Sequence, residues 1–516
     1  MNAREHLLPY ARRADFHVGR ATELKGSDYR LYRALEILPG FLSWATLLLI
    51  IVLAAFAPFV ASYFVLAYSI FWLLKTVFMS MHLRANWRRM RHNLKVDWGA
   101  QLENLKYEHL QHAIILPFYK EGEEIIRQSL DALTKVKYDA KKFIVVLAGE
   151  GRAGKEYEDL ARHLAKEYSP HFRDFIVTTH PADVPGEVAG KGSNAAYAAE
   201  ILRTQILDPQ RLKYDEVIVS IFDVDTVVYP DYFNCLTWHF LTAEHPLKSS
   251  FQPVPLFNNN LWDAPAVSRV MAMSSSFWQM IQQERPEKMG TFSSHAMSFQ
   301  ALYEVGYWQT NMVSEDSRIH FNLLMANHGN YNVVPLAYPV SMDANVADSF
   351  WQTIVNIYKQ HRRWTYGVES VPYLIYHAIK NKQMPLGKRI MYVGQQIEGF
   401  WSLATAPLIL FILGWAPMFL GGDAYHATVV SYNLPIIARD ILTLAMAGLI
   451  ISAMISISLL PPRPKDKSRF MYVVMALQWI MVPITMNIFS SIPGLEAQTR
   501  LMFGKYMGFW VTPKKR

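Results

Sequence analysis

Three groups of residues in this 516-residue chain have types and spacings that could do chemistry. Asp223-Val224-Asp225 follows the apolar run Val217 to Phe222, Glu315-Asp316 follows Gly306-Tyr307-Trp308, and Gln360-His361-Arg362-Arg363-Trp364 precedes an apolar region. Two carboxylates one residue apart at a strand end can converge on one hard divalent cation, leaving positions open for phosphate oxygens. Alone, Asp-x-Asp is expected about once by chance in a chain this long; a solvated turn is the bland reading, and the preceding strand argues against it. A carboxylate at 315–316 could take the proton from an attacking hydroxyl, a role typically worth ~10²–10⁴-fold. Ser314 before two acids is also a good helix N-cap, and sequence alone favours the cap; the two roles are compatible. Gln-x-x-Arg-Trp is the specific signal, with a chance frequency on the order of a few hundredths. Arg363 can grip a diphosphate bidentately, and the Trp364 indole offers a flat face and an N–H donor. Its bland alternative is an interfacial anchor.

A competing pattern runs from Gly149 to Lys155, Gly-x4-Gly-Lys after a strand and before a helix. Val217 to Asp223 resembles the apolar strand whose terminal Asp holds Mg²⁺ in P-loop enzymes. The next residue is Glu156, where a Ser or Thr hydroxyl is needed, and a carboxylate there would face phosphates with like charge. The membrane-ATPase reading is set aside.

The elements that must position these groups are legible as patterns. His112 to Pro117, Phe143 to Leu147, Phe175 to Thr179 and Val217 to Phe222 read as strands. Glu121 to Leu133, Tyr157 to Tyr168 and Ala195 to Leu207 read as helices. Alternation of this kind implies a mostly parallel sheet with helices on both faces, with ligands beyond the carboxyl ends of the strands. Residues 350 to 380 read as amphipathic helix near a membrane, with Trp351, Ile354, Ile357 and Tyr358 at helical spacing.

Ile37–Leu74, Phe400–Leu420, Ile441–Pro462 and Phe470–Pro493 contain no Asp, Glu, Lys or Arg. Roughly 20 apolar residues cross a bilayer as a helix, so the first run suffices for a hairpin broken near Pro58. The net charge of +8 concentrates beside these runs, at Arg84, Arg88, Arg89, Arg91 and Lys95 and at Arg463, Lys465, Lys467 and Arg469. That is the positive-inside pattern of juxtamembrane loops, and it argues against nucleic-acid binding. No cleavable signal peptide is visible in the polar, basic first 36 residues, and a single cysteine, Cys235, excludes an internal disulfide framework.

From about Ala113 to Tyr373 the motifs resemble those of family 2 glycosyltransferases with membrane domains, the group of cellulose, hyaluronan and chitin synthases. The resemblance implies a GT-A type α/β domain with a transmembrane helical region, and inverting hexosyl transfer from a nucleotide diphosphate-sugar, UDP-linked, to a polysaccharide or lipid acceptor. It assigns Asp316 as base, and Asp223 and Asp225 as acids holding Mg²⁺ or Mn²⁺ and the diphosphate. Gln360, Arg363 and Trp364 become the diphosphate and acceptor clamp, and Pro117, Glu121, Lys191 and Asn194 lie near the donor. Where the family commonly has an Asp pair after the second strand, this chain has Ala148-Gly149-Glu150, with Glu150 as the substitute. Phe509 to Lys514 is similar to the gating loop of cellulose synthases.

The expected organisation is a cytoplasmic segment 1–36, a transmembrane hairpin 37–83, a GT-A domain 96–345, interfacial helices 346–390 and transmembrane helices 391–492. An interfacial helix and FxVTxK-like tail 493–516 follow. The expected location is a bacterial inner or plasma membrane, multi-pass, with the catalytic domain cytoplasmic. A cytoplasmic tail demands an even number of crossings after residue 388, and Pro483 suggests a bent or re-entrant last segment. The alternatives are a non-processive glycolipid synthase and a catalytically silent transport or scaffold subunit. Sugar, linkage, acceptor and partner subunits are not written in the sequence.

Overall fold

The structure, a computed structural model, describes residues 16–513. The first 15 residues of the expected cytoplasmic segment, and Lys514, Lys515 and Arg516, lie outside it.

A hairpin of two long helices opens the chain, α1 (Gly26–Phe56) and α2 (Pro58–Asn93). Pro58 starts α2, where its missing N–H costs no helical bond. The α/β domain follows. Its strands are β1 (Gln111–Pro117), β2 (Phe143–Glu150), β3 (Asp174–His180), β4 (Val217–Ile221), β5 (Val227–Val228), β6 (Ser249–Phe257), β7 (Ala296–Ser298) and β8 (Asn332–Met342). They form one eight-stranded sheet in the order β3-β2-β1-β4-β7-β6-β8-β5. The first four strands are parallel, as the strand–helix alternation requires. The other half is mixed, with β7 antiparallel to both β4 and β6, β6 parallel to β8, and β5 antiparallel to β8.

Period-two alternation divides the central strands between two apolar layers. Ala113, Ile115, Ile144, Val146 and Val219 pack on α5 (Lys191–Leu202) through Ala195, Ala198, Ala199 and Leu202. Ile114, Leu116, Val145, Leu147 and Ile218 face α3 (Glu123–Thr134), α4 (Lys155–Tyr168) and α6 (Tyr232–Thr242). Each such buried aliphatic contributes ~1.5–3 kcal/mol. β2 runs on to Glu150, with Gly149 opposite Thr179 and Glu150 opposite His180. Gly149 is therefore a strand residue rather than part of a phosphate loop, and the exposed Lys155 begins α4.

Past β6 come α7 (Ala266–Gln282) and α8 (Glu315–Ala326), and past β8 come α9 (Phe350–Thr365) and α10 (Ser370–Lys380). In α9, Ile357 of the expected apolar stripe is buried, whereas Trp351 is exposed together with Phe350 and Val355. The chain continues through α11 (Leu386–Phe411), α12 (Val429–Ser458) and α13 (Met471–Met502), the last interrupted by tighter and wider turns at Gln478–Met481 and Asn487–Ser491. Among the described residues four helices, α1, α2, α12 and α13, are long and apolar enough to cross a membrane. α11 joins them if its continuation Leu413–Leu420, bent by 47°, is counted with it.

Packing distinguishes these helices. α2 and α12 run side by side, Gly448 against Thr76 and Ser80, and Trp87 Nε1 donating to Ser458 Oγ at 2.8 Å. α13 does not run the length of the hairpin. Near its start Trp479 stacks on Phe277 of α7, ring centroids 5.3 Å apart. Near its end Ser43 donates to Gln498, and Arg33 donates to the carbonyls of Leu501 and Met502. Both ends of α13 thus lie toward the α/β domain and the N-terminal half of α1, away from the hairpin turn at Ala57. The domain itself is fastened to the ends of α2 and α12: Arg89 donates to Gln283 O (2.8 Å), Asn258 to Leu459 O (3.0 Å) and Trp262 to Pro461 O (3.1 Å).

Candidate active site

The carboxyl ends of β1, β2 and β4 face the first turn of α5, where Lys191 follows Gly190. Lys191 Nζ lies 2.7 Å from Asp223 Oδ1 and 2.9 and 3.0 Å from the two oxygens of Asp316. One ammonium therefore joins the acid after β4 to the acid in the first turn of α8. Burial alone would lower the Lys191 pKa, but Asp223, then Asp316 and Glu315, outweigh it and raise it. Asn194, one turn along α5, is fully buried and donates to Ala148 O at 2.7 Å, tying this helix start to the end of β2. Its side chain is a strut between sheet and helix.

Asp225 is buried, and Oδ2 accepts the N–H of Asp343 at 3.1 Å. Asn259 Nδ2 donates to both Asp225 O (3.2 Å) and Asp343 Oδ1 (2.9 Å). Asp343 was not singled out from sequence, yet it carries the signal that exposed Asp223: an acid directly after a strand, β8. Among the described residues no three His, Cys, Asp or Glu side chains already form a metal-binding group. The oxygens of Asp223 and Asp225 still suit a hard cation that completes its shell with phosphate oxygens and water.

Glu315, 2% exposed, is pushed up to about 8, first by burial and then by Asp316, against the pull of Lys191 and Arg363. The expected Ser314 side-chain cap is absent; its hydroxyl instead donates to Glu369 at 3.1 Å. The peptide of Asp316 is fixed by Thr291 Oγ1, which donates to its carbonyl at 2.5 Å. His295 Nδ1 is 4.0 Å from Asp316 Oδ1, but it donates to Phe292 O (2.7 Å) while Nε2 accepts from Trp308 (3.2 Å). Burial lowers its pKa, so it is a neutral wall beside the acid.

The end of α9 closes the opposite side. Trp364 packs against His361, Phe257 and Phe292 at centroid distances of 4.9, 5.9 and 6.1 Å. Phe257 precedes the Asn258–Asn260 turn that holds Asp225, and Phe292 follows the threonine that holds Asp316. The indole thus packs against both segments that hold the acids. Gln360 accepts from Asn345 at 3.4 Å and shares a small cavity with Asp343, Asn345 and Trp364. The Arg363 guanidinium lies 4.5 Å over the Phe509 ring, and its buried Nε has no hydrogen-bond partner among the described residues. Burial lowers its pKa, while Glu315, Asp223 and Asp316 act to raise it. An unpartnered guanidinium nitrogen facing carboxylates suits an incoming diphosphate. Phe509 also closes on Gly190, where a Cβ would sit 2.5 Å from Phe509 Cγ.

The remaining expected donor residues form a second patch. Pro117 ends β1, and Glu121 accepts the N–H of Tyr119 at 2.7 Å. Glu150, buried at the end of β2, is paired with Arg152, whose guanidinium stacks 4.4 Å from the Tyr119 ring.

A family model described as glycosyl transferase family group 2 matches residues 218–488. Among solved structures the chain is similar to mannosyltransferase PcManGT from Pyrobaculum calidifontis in complex with GDP-Man and Mn²⁺. Identity there is 16% over 76% of this chain and 98% of that one, with a TM-score of 0.43. It is also similar to S. aureus TarS 1–349 in complex with UDP-GlcNAc (10% identity, 69% and 93% coverage, TM-score 0.36). A third is glucosyl-3-phosphoglycerate synthase from Mycobacterium tuberculosis with Mg²⁺ and UDP (13%, 55% and 84%, 0.31). No curated protein matches the sequence.

Two outcomes follow from the geometry. Gly190→Ala should expel Phe509 from its seat, raising proteolytic cleavage around residue 509 several-fold while the unfolding midpoint of the α/β domain barely moves. Glu315 retains its proton in the fold between the ordinary glutamate value of 4.5 and about 8, whereas the unfolded chain loses it. Stability should therefore fall as pH rises through that window and level off above it. Glu315→Gln should flatten the fall, read from unfolding midpoints at pH 6 and 9.

Proposed function

The chain belongs to glycosyl transferase family group 2, and from that premise we propose that it is a membrane-embedded, inverting enzyme that extends a polysaccharide from a UDP-linked sugar. The observation that carries the reading is the Lys191 bridge between Asp223 and Asp316, with Arg363 and Trp364 on the facing wall.

Asp223 and Asp225 would hold Mg²⁺ or Mn²⁺, which supplies charge neutralisation for the leaving diphosphate. Arg363 grips the diphosphate from the other side, its Nε having no hydrogen-bond partner among the described residues. Trp364, braced by Phe257 and Phe292, presents its ring to the terminal sugar of the acceptor and aims the hydroxyl at the anomeric carbon. The Asp316 carboxylate takes the hydroxyl proton as that oxygen bonds to the anomeric carbon and the diphosphate leaves. Lys191 exchanges carboxylate contacts for phosphate ones as the donor settles. Glu150, Arg152 and Tyr119 line the end of the sheet where the nucleoside lies.

Apolar length admits α1, α2, α12, α13 and, with its bent continuation Leu413–Leu420, α11; because both ends of α13 lie toward the α/β domain, the crossings are assigned to α1, α2, α11 and α12. α13 then lies along the cytoplasmic side. Two crossings follow residue 388, the even number a cytoplasmic Phe509 requires. Trp364 lies within the layer between domain and membrane helices, which suits a product passed directly into the bilayer region.

Membranes carrying the protein, given labelled nucleotide sugars and Mn²⁺, should form polymer from one UDP-sugar; addition of a single sugar to lipid would remove the polymerase reading. Asp316→Asn should lower kcat by ~10²–10⁴-fold with donor binding retained. Asp225→Asn should instead raise the Mn²⁺ concentration needed for half-maximal rate by about tenfold or more.

A further inference from the structure

The base and the acceptor platform lie on different helices, α8 and α9, and one buried carboxylate joins them. Glu369 follows α9 in the turn Tyr366–Glu369 and is 4% exposed. Its Oε1 accepts from Val313 N (2.9 Å), Ser314 N (3.0 Å) and Ser314 Oγ (3.1 Å). These are the last two peptides before α8, whose first turn carries Glu315 and Asp316. A single oxygen thus gathers three donors at the point where the chain turns into the helix.

A second link runs the opposite way. Arg318, in the first turns of α8, is completely buried. It donates to Glu369 O (2.9 Å), Ser370 Oγ (3.3 Å), Gln309 Oε1 (3.1 Å) and Val18 O (3.1 Å), and its guanidinium lies 4.0 Å over the Tyr373 ring. Side chain of 369 to backbone of 313–314, and side chain of 318 to backbone of 369, make a reciprocal staple. Burial raises the Glu369 pKa, and Arg318 and the three donors pull it back. The charge-assisted bonds offset the cost of burying the carboxylate only while every partner stays in place.

We propose that Glu369 is a positioning residue for sugar transfer: its carboxylate fixes the entry to α8 against the end of α9, so that Asp316 and Trp364 keep a constant separation. The proposal rests on the reading of Asp316 as base and Trp364 as acceptor platform. Glu369 touches neither substrate nor metal in this scheme. Because a misplacement of about 1 Å can cost ~10²-fold in rate, loosening this joint lowers kcat without disturbing how the donor is held at Asp223 and Arg363.

The test compares Glu369→Asp, which withdraws the oxygen by one methylene, with Glu369→Gln, which keeps it in place. The readouts are kcat, donor KM, the ratio of donor hydrolysis to transfer, and the unfolding midpoint. For Glu369→Asp, kcat for transfer should fall about 10- to 100-fold. Donor KM should stay within about threefold and hydrolysis should rise relative to transfer, because water needs no alignment with Trp364. Glu369→Gln should recover most of the transfer rate. Ser314→Ala removes one of the three donors and should give a smaller loss of the same kind, which keeps the test alive if Glu369→Asp does not fold. A folded Glu369→Asp with the wild-type rate and hydrolysis ratio would overturn the proposal, as would a rate loss in proportion to the unfolded fraction. Asp316→Asn run alongside separates the two failures: full activity there means the base has been misassigned, whereas inactivity there with an unaffected Glu369→Asp condemns the positioning role alone.

Discussion

Everything in the cleft depends on one ammonium group. Asp223 and Asp316 come from a strand end and a helix start far apart in sequence, and Lys191 draws them within hydrogen-bond reach of a single nitrogen. Charges in contact near a protein surface interact by about 4 kcal/mol, against desolvation costs of several kcal/mol per ion. Such a cluster persists only if its scaffold is stiff. The stiffness comes from Asn194 pinning α5 to β2, Thr291 holding the Asp316 peptide, and Glu369 with Arg318 clamping the start of α8.

The parts legible in the sequence were those with local signatures. The central strands were readable from apolar runs because they are buried on both faces, and their boundaries fell within a few residues of the structure. Acids directly after a strand, and a motif as improbable as Gln-x-x-Arg-Trp, were visible for the same reason. The second half of the sheet was not, because β5 and β7 are too short to leave a periodic trace and the antiparallel β7 breaks the alternation. Asp343 was overlooked although it ends a strand as Asp223 does; β8 contains two prolines, Pro335 and Pro339, which disguise it as loop. Glu369 had no local signal at all. Its meaning lies in contacts more than 50 positions away, which no spacing rule encodes, and the cap expected of Ser314 was displaced by that stronger acceptor.

Apolar length alone does not say which way a helix runs. α12 and α13 pass the same test for membrane crossing, yet α12 lies along α2 whereas α13 turns from α7 to the N-terminal half of α1. Polar side chains reveal the difference. Tyr358 and Arg362 of α9 both donate to Glu496 of α13 at 2.8 Å, and Gln478 of α13 accepts from Arg269 of α7. A helix that spends its polar residues on the α/β domain is a bracket between that domain and the helices behind it.

The seat of Phe509 has a consequence for how the protein is made. The ring fills the space left by the missing side chain of Gly190 and lies under Arg363, so a wall of the cleft comes from a segment synthesised over 300 residues after the glycine it packs on. The lysine, its two acids, Arg363 and the Glu369 clamp that holds them are all present once residue 369 has been made. The cavity stays unroofed until the chain has threaded its later helices and folded back. A nascent chain stalled before residue 509 would therefore lack this wall of the cleft, and the order of synthesis itself delays completion of the pocket until the later helices are in place.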